Sequence, residues 1–568
     1  MADVMPDPES AGAAATDAAD AAADERAAKR AKREQQQAQP QHKLDAKHED
    51  GIAKQEDEQQ QQHADEEDDE RIPLPLSTTR SAVKRGHECP YLDTILRQNL
   101  DFDFEKCCSV SLSPINVYVC LVCGKYFQGR GLATHAYTHS LETSHHMFMK
   151  LDNGKVYCLP DNYEVYCLPD NYEVVDRSLD DIRAVLNPSF NQELVTRLDS
   201  EVSWVRALDG SEFMPGLVGL NNMRANDYAN AVLQALARVG PIRDFFLMPA
   251  NYAGCRSLLV TRFGELMRKM WNARNFKGQV SPHEFMQAAM AASKRRFTIE
   301  QQSDPVEFWS WLLNSLHMDL TGGKPKRRSI ITNTFQGELE VTTLAGTGKG
   351  AAATSKEDVV ERVPFLLMGL ELPPTPLFKD ALEKNIIPQV PIFQLLAKFD
   401  GSTVSDDIRL GRRKFRVTRL PNFLALTFKR FTRNNFFTEK NPTLVTFPVK
   451  SLELRDALPV PNGPDGKPLP SKYDLIANVV HEGKAGQQTG GAPYKAHIQR
   501  SVEKTWYEVQ DLVVLDVLPQ MVALSEAYFQ VYQCQQPQPL PGSSKPKQQQ
   551  QQGKAVKPKP AAAAVKLG

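Results

Sequence analysis

The chain has 568 residues, a formal net charge of −1 and an apolar content of 41%. This length can hold two or three domains, and the near-neutral charge gives no overall attraction to nucleic acid. No apolar run is long enough to span a bilayer, and the Ala-rich, acidic N-terminus does not resemble a secretory leader. Nine cysteines, an odd number, indicate zinc in a reducing compartment rather than disulfides. We therefore expect a soluble intracellular protein without membrane contact.

Low-complexity sequence occupies both ends of the chain. Residues 1–85 are rich in Ala, then Gln, then acid, and residues 535–568 contain mostly Pro, Gln, Lys and Ala. Such segments bury too little apolar surface to offset the entropy of ordering, so we predict two disordered tails. The basic cluster KRAKR at 29–33 fits a nuclear import signal, with a solvated tail as the alternative.

Soft metal ligands cluster in the first third of the chain. Cys120 and Cys123 form a Cys-x2-Cys pair, followed by His139 after 15 residues and His145 after five more. Thiolates and imidazoles in a tight cluster are the ligands that tetrahedral zinc prefers. We predict one zinc ion at these four residues, with His146 as an alternative to His145. The competing interpretation is a set of unliganded core residues.

The stretch GLNNMRANDYANAVLQ at 219–234 resembles the opening catalytic helix of the ubiquitin-specific proteases, GL-x-N-x-GNTC-[YF]-x-N-A-x-LQ. Asp227 stands at the position of the nucleophilic cysteine, and Ala225 stands at the position of the Asn of GNTC. An Asp suits a helix N-terminus, where the dipole and the unpaired N–H groups favour an anion. A carboxylate cannot form the acyl-thioester on which a cysteine protease depends.

The other two positions of the catalytic triad also differ from that family. GGAPYKAH and WYEVQDL resemble its His box and its W-[YF]-x-F-[DN]-D segment, which puts Pro493 at the base position and Gln510 at the orienting position. Pro has no ionisable group, and Gln cannot stabilise an imidazolium as a carboxylate does. We interpret the nearby His481 and His497 as packing or surface residues. The resemblance implies a pseudoenzyme, and the alternative is an active deubiquitinase with another nucleophile such as Cys255.

The resemblance continues through QQSDPVEFWSWLLN, FLALTFKRF and KYDLIANVVHEG and covers residues 215–534. It implies an α+β, papain-like fold of thumb, palm and fingers, without the fingers zinc site, because only two cysteines lie in this range. The region 86–190 resembles the UBP-type zinc finger, and we assign 191–214 to a linker. The finger holds a tandem repeat, VYCLPDNYE at 156–164 and again at 165–173, of which only one copy fits the expected strand.

Other finger residues are read from the same resemblance. Gln128 falls at one ligand position of a second zinc site, and Cys89 and Cys158 are interpreted as unpaired remnants of a further site. Arg130 matches the arginine that contacts the C-terminal Gly-Gly of ubiquitin, but the usual aromatic partners are not evident in the sequence. Binding of free ubiquitin is therefore not favoured.

The chain places a zinc finger before a catalytically inactive protease-like domain. This order resembles the snRNP-assembly-defective family of splicing factors, as do sequence segments such as NFKGQVSPHE and KRFTRNNFFTEKNPTLVTFP. This resemblance implies a non-catalytic nuclear pre-mRNA splicing factor. It would support assembly or maintenance of the spliceosomal U4/U6-U5 tri-snRNP through contacts with tri-snRNP proteins. Indirect association with small nuclear RNA stays open, and the alternative function is a non-catalytic receptor for ubiquitin or a ubiquitin-like protein.

Overall fold

The computed structural model describes residues 89–159, 172–201, 204–345, 357–374, 387–407, 411–433, 438–460, 462, 466, 468–483 and 494–537. All of these lie within one compact unit, 86–568. Three predictions therefore fall outside the described residues: the N-terminal tail, most of the C-terminal tail, and the substitution at Pro493.

The secondary structure alternates between helical and sheet regions along the chain. The α-helices are α1 His135–Thr143, α2 Asp180–Leu186, α3 Gln192–Arg197, α4 Asp227–Ala237, α5 Gly240–Leu247, α6 Leu258–Trp271, α7 His283–Ala292, α8 Pro305–Leu320, α9 Ile330–Phe335, α10 Ile392–Leu396 and α11 Pro519–Ala523. The first strands are β1 Val117–Cys120, β2 Tyr126–Gln128, β3 Met147–Lys150, β4 Val156–Cys158, β5 Tyr172–Val174, β6 Val205–Arg206, β7 Glu212–Phe213, β8 Gly219–Leu220, β9 Gln279–Val280, β10 Gly337–Thr343, β11 Val359–Phe365 and β12 Met368–Glu371. The later strands are β13 Gln389–Pro391, β14 Asp400–Asp407, β15 Gly411–Arg419, β16 Phe423–Lys429, β17 Phe431–Arg433, β18 Thr438–Lys440, β19 Leu444–Thr446, β20 Leu452–Glu453, β21 Lys472–His481, β22 Tyr494–Gln499, β23 Trp506–Gln510, β24 Val513–Val517 and β25 Ala527–Cys534.

The N-terminal region is built on a five-stranded antiparallel sheet in the order β2-β1-β3-β4-β5. Side chains of a strand point alternately to the two faces of a sheet. Val119 and Met149 are paired across β1 and β3 and lie in one core cluster, whereas Tyr118 and Phe148 belong to a second cluster. This sheet therefore carries a small core on each side. The VYC of the first repeat forms β4, and the Tyr-Glu that ends the second repeat begins β5.

The thumb consists of the helices α4 to α9, in which α4 packs against α5 and α8. Every residue of α4 is buried, as expected for the central helix of a bundle. α8 begins where the Asp304 side chain accepts hydrogen bonds from the backbone N–H groups of Val306 and Glu307, and Pro305 occupies the first turn.

The palm is an eight-stranded sheet in the order β12-β16-β25-β21-β22-β23-β24, with β20 paired to β21. Strand β16 is apolar from Phe423 to Leu426, with Ala425 in the core cluster shared with the thumb and Leu424 and Leu426 in a second cluster behind the sheet. A four-stranded sheet, β11-β10-β15-β14, lies at the position of the fingers in chain order. This arrangement confirms the predicted α+β fold class.

A buried carboxylate joins the N-terminal sheet region to the thumb. Asp103 is 7% exposed, and its Oδ2 accepts a hydrogen bond from the backbone N–H of Ser281 over 3.0 Å. Its two carboxylate oxygens also lie 3.2 Å from Nζ of Lys269 and 3.4 Å from Nζ of Lys277. Because the carboxylate loses its hydration in this position, these cations and the N–H must stabilise it, and they tie the two regions together.

No helix in the described ranges has the length and apolar character that crossing a membrane requires.

Candidate metal centre and degenerate protease cleft

The Cys-x2-Cys pair occupies a tight turn at the end of β1. Cys120 is the last residue of the strand, and the N–H of Gly124 donates to the carbonyl oxygen of Cys120 over 2.9 Å, so that the turn brings Cys123 back beside it. Gly124 has a φ of +76°, and a Cβ at this position would lie 2.0 Å from the carbonyl oxygen of Asn99. Only glycine fits here.

Two histidines complete this cluster from the other side. His139 lies on α1, and Ser144 ends this helix with a φ of +57°, which turns the chain and places His145 beside His139. Nε2 of His139 lies 3.4 Å from Sγ of Cys123 and 3.2 Å from Nδ1 of His145. The four ligand atoms all lie within 4.8 Å of one another.

This donor set fits zinc, because a Cys2His2 group can surround one ion tetrahedrally. The hydrogen bond from Cys120 lowers the pKa of the Cys123 thiol to about 4, so this pair readily supplies a thiolate. His146 points elsewhere: its Nδ1 lies 3.0 Å from Oγ of Ser140, and its ring packs on Tyr91. The geometry therefore favours His145 over His146.

The remaining finger residues differ in part from expectation. Cys89 and Cys158 lie beside each other: a hydrogen bond from Cys158 lowers the pKa of Cys89 to about 6, and both residues are buried. Gln128, at a ligand position of a second site, accepts a hydrogen bond from the Ser111 hydroxyl over 2.8 Å. The guanidinium of Arg130 lies 4.4 Å from the centre of the Tyr157 ring, an aromatic neighbour that the sequence did not reveal.

Asp227 begins α4 and lies between the thumb and the palm. It is 5% exposed. Its Oδ2 accepts hydrogen bonds from the backbone N–H of Tyr494, over 3.0 Å, and from Nε2 of Gln302, over 2.6 Å. Its Oδ1 is buried and has no hydrogen-bond partner among the described residues. Burial raises the pKa of this carboxyl group, since an anion loses hydration here.

A second thumb carboxylate contacts the palm beside Asp227. The hydroxyl of Tyr528 donates to Oδ2 of Asp304, and burial raises the pKa of Asp304. The rings of Phe431 and Tyr494 lie 5.1 and 5.0 Å from the His481 ring. Burial lowers the pKa of His481 to about 4, so its imidazole is neutral at physiological pH. Aromatic side chains therefore line the palm side of this junction.

The orienting segment contributes through Asp511 rather than through Gln510. Gln510 ends β23, and the next residue, Asp511, accepts hydrogen bonds from Nδ2 of Asn222 over 3.0 Å and from Nδ2 of Asn230 over 2.8 Å. The N–H of Leu220 also donates to the carbonyl oxygen of Asp511 over 2.8 Å. Asp511 thus anchors the N-terminus of α4 to the palm. The second Asp of the family segment was the signal available in the sequence.

The other candidate residues lie apart from this junction or contribute no reactive group. Ala225 has a methyl side chain without a donor, and its backbone N–H donates to Ile299 over 3.1 Å. Nε2 of His497 lies 3.2 Å from Oε2 of Glu508, within the palm sheet. The thiol of Cys255 donates to the carbonyl oxygen of Asp319 over 3.6 Å.

Comparisons with known proteins agree with these features. Residues 218–532 match the family described as ubiquitin carboxyl-terminal hydrolase, and residues 107–179 match the family described as Zn-finger in ubiquitin-hydrolases and other protein. Human ubiquitin carboxyl-terminal hydrolase 39 is 47% identical over 79% of this chain and 80% of its own length. The fission yeast probable mRNA-splicing protein ubp10 is 38% identical over 78% of this chain and 88% of its own length.

A solved structure supports the same assignment. The crystal structure described as that of an essential yeast splicing factor is 27% identical, with a TM-score of 0.62, over 78% of this chain and all of that one. The pre-mRNA-splicing factor SAD1 of Saccharomyces cerevisiae is 28% identical over 78% of this chain and 93% of its own length. Fold and site define a ubiquitin-hydrolase-like protein that carries a UBP-type zinc finger. The chain belongs to the ubiquitin carboxyl-terminal hydrolase family, within the group that includes these splicing proteins.

Proposed function

We propose that the chain is a non-catalytic nuclear pre-mRNA splicing factor that supports assembly or maintenance of the U4/U6-U5 tri-snRNP through protein contacts. The names of its splicing relatives support a role in pre-mRNA splicing, and their alignment over most of both chains supports a shared role. In this proposal the zinc finger spans 86–190, the linker 191–214 and the protease-like domain 215–534.

The buried state of Asp227 is the observation that favours a pseudoenzyme. A cysteine protease needs a thiolate that can reach a carbonyl carbon in an open cleft. Here the corresponding side chain is a carboxylate that is 5% exposed and hydrogen-bonded to the palm backbone. A carboxylate cannot form the acyl-thioester of a cysteine protease, and a side chain this buried is poorly accessible to a substrate carbonyl. The fold is therefore proposed to serve as a surface for other proteins.

We propose that one zinc ion binds Cys120, Cys123, His139 and His145. Four protein ligands fill a tetrahedral shell and leave no open position for water or substrate, so the ion would be structural. It would hold α1 against the sheet, because two ligands come from the β1 turn and two from α1 and the residues after it.

An exposed apolar segment supports the proposal that the protein acts through contacts. Val513 and Leu515 on the edge strand β24 are 53% and 56% exposed, and the following Leu518, Met521 and Leu524 are 58–67% exposed. Large apolar side chains that are concentrated in this way mark protein interaction sites. A spliceosomal protein is the partner that the proposed function implies.

Affinity purification of the full chain from nuclear extract tests the proposed function. We expect the U4, U6 and U5 small nuclear RNAs and their proteins to co-elute, and the RNA to be lost when the proteins are stripped with high salt. Purification of the folded chain without any of these components would contradict the proposal.

Arg130 favours one second candidate, a receptor for ubiquitin. The stacking of its guanidinium on Tyr157 preserves an arginine and an aromatic ring in one place on the finger. A titration with free ubiquitin tests this function, and an absence of binding at high micromolar concentration would remove it.

A further inference from the structure

A cavity of about 360 Å³ lies where the segment that follows the finger sheet meets the thumb and the palm. We infer that this cavity binds an acidic peptide segment that carries one large apolar side chain. Its volume falls within the range of sites that hold small ligands or single peptide side chains. The inference goes beyond the proposed function, since it concerns a site away from Asp227 and from the zinc ligands.

The inner wall of the cavity is apolar. Phe190, Leu194 and Leu198 line it from the segment before the protease-like domain, and Trp271 lines it from the end of α6. The Trp271 side chain is held in place, because the guanidinium groups of Arg238 and Arg243 each lie 4.8 Å from the centre of its ring. A fixed aromatic surface beside aliphatic side chains suits the insertion of a Phe, Leu or Trp from a ligand.

The rim of the cavity is basic. Arg197, Arg274 and Arg500 line it, whereas Glu201 is the single acidic side chain among the described lining residues. Arg500 uses Nη2 to donate to the carbonyl oxygen of Glu201 over 3.4 Å. Its Nη1 is buried and has no hydrogen-bond partner among the described residues. A buried guanidinium N–H without an acceptor is costly, and a ligand carboxylate would supply one.

Neighbouring charges add to this attraction for an anion. Burial, together with the positive charges of Arg243 and Arg500, lowers the pKa of Arg238 to about 9. Two hydrogen bonds of 2.7 Å to Asp199 neutralise Arg243, whereas Arg500 forms no ion pair with a side chain of the described residues. An anion bound at the rim would therefore reduce repulsion among guanidinium groups that the fold itself holds together.

The mixture of apolar wall and basic rim distinguishes a peptide from nucleic acid. Binding to nucleic acid depends on a basic track that follows many phosphates. Here three arginines surround one open cavity with an apolar inner wall, which matches a side chain flanked by Asp or Glu. Guanidinium groups bind carboxylates with two parallel hydrogen bonds, so such a peptide would gain orientation as well as attraction.

Fluorescence anisotropy with the full chain tests the inference. The probe is a fluorescein-labelled peptide of sequence Asp-Glu-Phe-Glu-Asp, compared with versions in which Ser replaces Phe or Lys replaces every acid. We expect micromolar binding of the first peptide, at least tenfold weaker binding of both others, and weakening with added salt. The exposed Arg274→Glu change should weaken binding at least tenfold, as should Arg500→Gln. The matched control is Arg362→Glu, at a side chain that is 70% exposed on β11, which should leave binding unchanged.

Several results would overturn the inference. These are no anisotropy change up to 1 mM peptide, equal binding of the Lys peptide, or binding that Arg274→Glu and Arg500→Gln leave intact in chains with an unchanged Tm. A fluorescent oligouridylate that binds with the same dependence on Arg274, while the acidic peptide does not bind, would assign the cavity to nucleic acid instead. All of these outcomes are independent of whether the chain co-purifies with small nuclear RNAs.

Discussion

The backbone N–H of Tyr494 donates to Oδ2 of Asp227 over 3.0 Å, which joins the first residue of β22 to the first residue of α4. The acceptor is the side chain at the position that resembles the nucleophile position of the family. Asp227 therefore makes a structural contact between the thumb and the palm.

Restoring the thiol should not restore hydrolysis. We expect Asp227→Cys to release no fluorophore from a ubiquitin C-terminal fluorogenic substrate above the rate of the unmodified chain. The reason is that Gln510 and Ala225 supply neither a carboxylate orienter nor a side-chain oxyanion donor, and the residue at the base position is Pro493. An active ubiquitin-specific protease serves as positive control. Measurable turnover by this single variant would refute the pseudoenzyme proposal.

Replacing the buried carboxylate by an amide should stabilise the fold at neutral pH. The folded-state pKa of Asp227 is raised by burial, so its protonated form favours folding below the unfolded-state pKa, and that stability is lost as pH rises through the folded-state pKa. Asp227→Asn has no charge to bury and keeps an oxygen acceptor for Tyr494. We expect a gain of about 1 kcal/mol at pH 7.5 that shrinks towards pH 4. Thermal melts across this range measure it, and a constant difference would contradict the assignment.

Zinc content should equal one ion per chain. We expect Cys123→Ser to lose the ion and to lower the Tm by several degrees, because one ligand change opens the tetrahedral shell. Elemental analysis of the purified chain gives the stoichiometry. Cys255→Ser is the control, since that thiol only donates to a backbone carbonyl. Two or three ions per chain, or full retention by Cys123→Ser, would be inconsistent with the proposed site.

Removing the carboxylate that joins the finger region to the thumb should lower the free energy of unfolding. Asp103→Ala leaves the N–H of Ser281 and the ammonium of Lys269 without their buried acceptor. We expect destabilisation of about 2 to 4 kcal/mol, with faster proteolysis between the two regions. Asp93→Ala, at an exposed position, should stay within about 0.5 kcal/mol of the unmodified chain. Equal effects of the two changes would show that Asp103 contributes little to this junction.

The exposed apolar segment should be needed for partner binding but not for folding. We expect the double change Leu515→Asp and Met521→Asp to reduce co-purification of spliceosomal proteins at least fivefold while the Tm stays within about 2 °C. Leu132→Asp, at a side chain that is 80% exposed on the finger, is the control. Unchanged recovery of the proteins in the double variant would exclude this segment as the contact surface.

Much of the candidate metal site could be predicted, because its ligands are close together in the sequence. A strand end, a two-residue turn and one helix are enough to predict that Cys120, Cys123 and His139 meet. The choice between His145 and His146 could not be made in this way, because it depends on the φ of +57° at Ser144. The contact of Cys89 with Cys158 could not be predicted from spacing, because the packing of β4 against the N-terminal segment is a long-range relationship.

The sequence by itself determined the class of the protein and the presence of a carboxylate at residue 227, and residue identity alone decides whether a side chain can form a thioester. Only the tertiary structure decided that Asp227 is buried and hydrogen-bonded to the palm. Asp227 and Tyr494 are 267 residues apart, and their contact depends on how a helix and a sheet pack together. The same is true of the arginine-rimmed cavity, where residues between 184 and 500 in the chain meet. Spacing along the chain carries local geometry, whereas burial and its electrostatic consequences arise from the packing of distant segments.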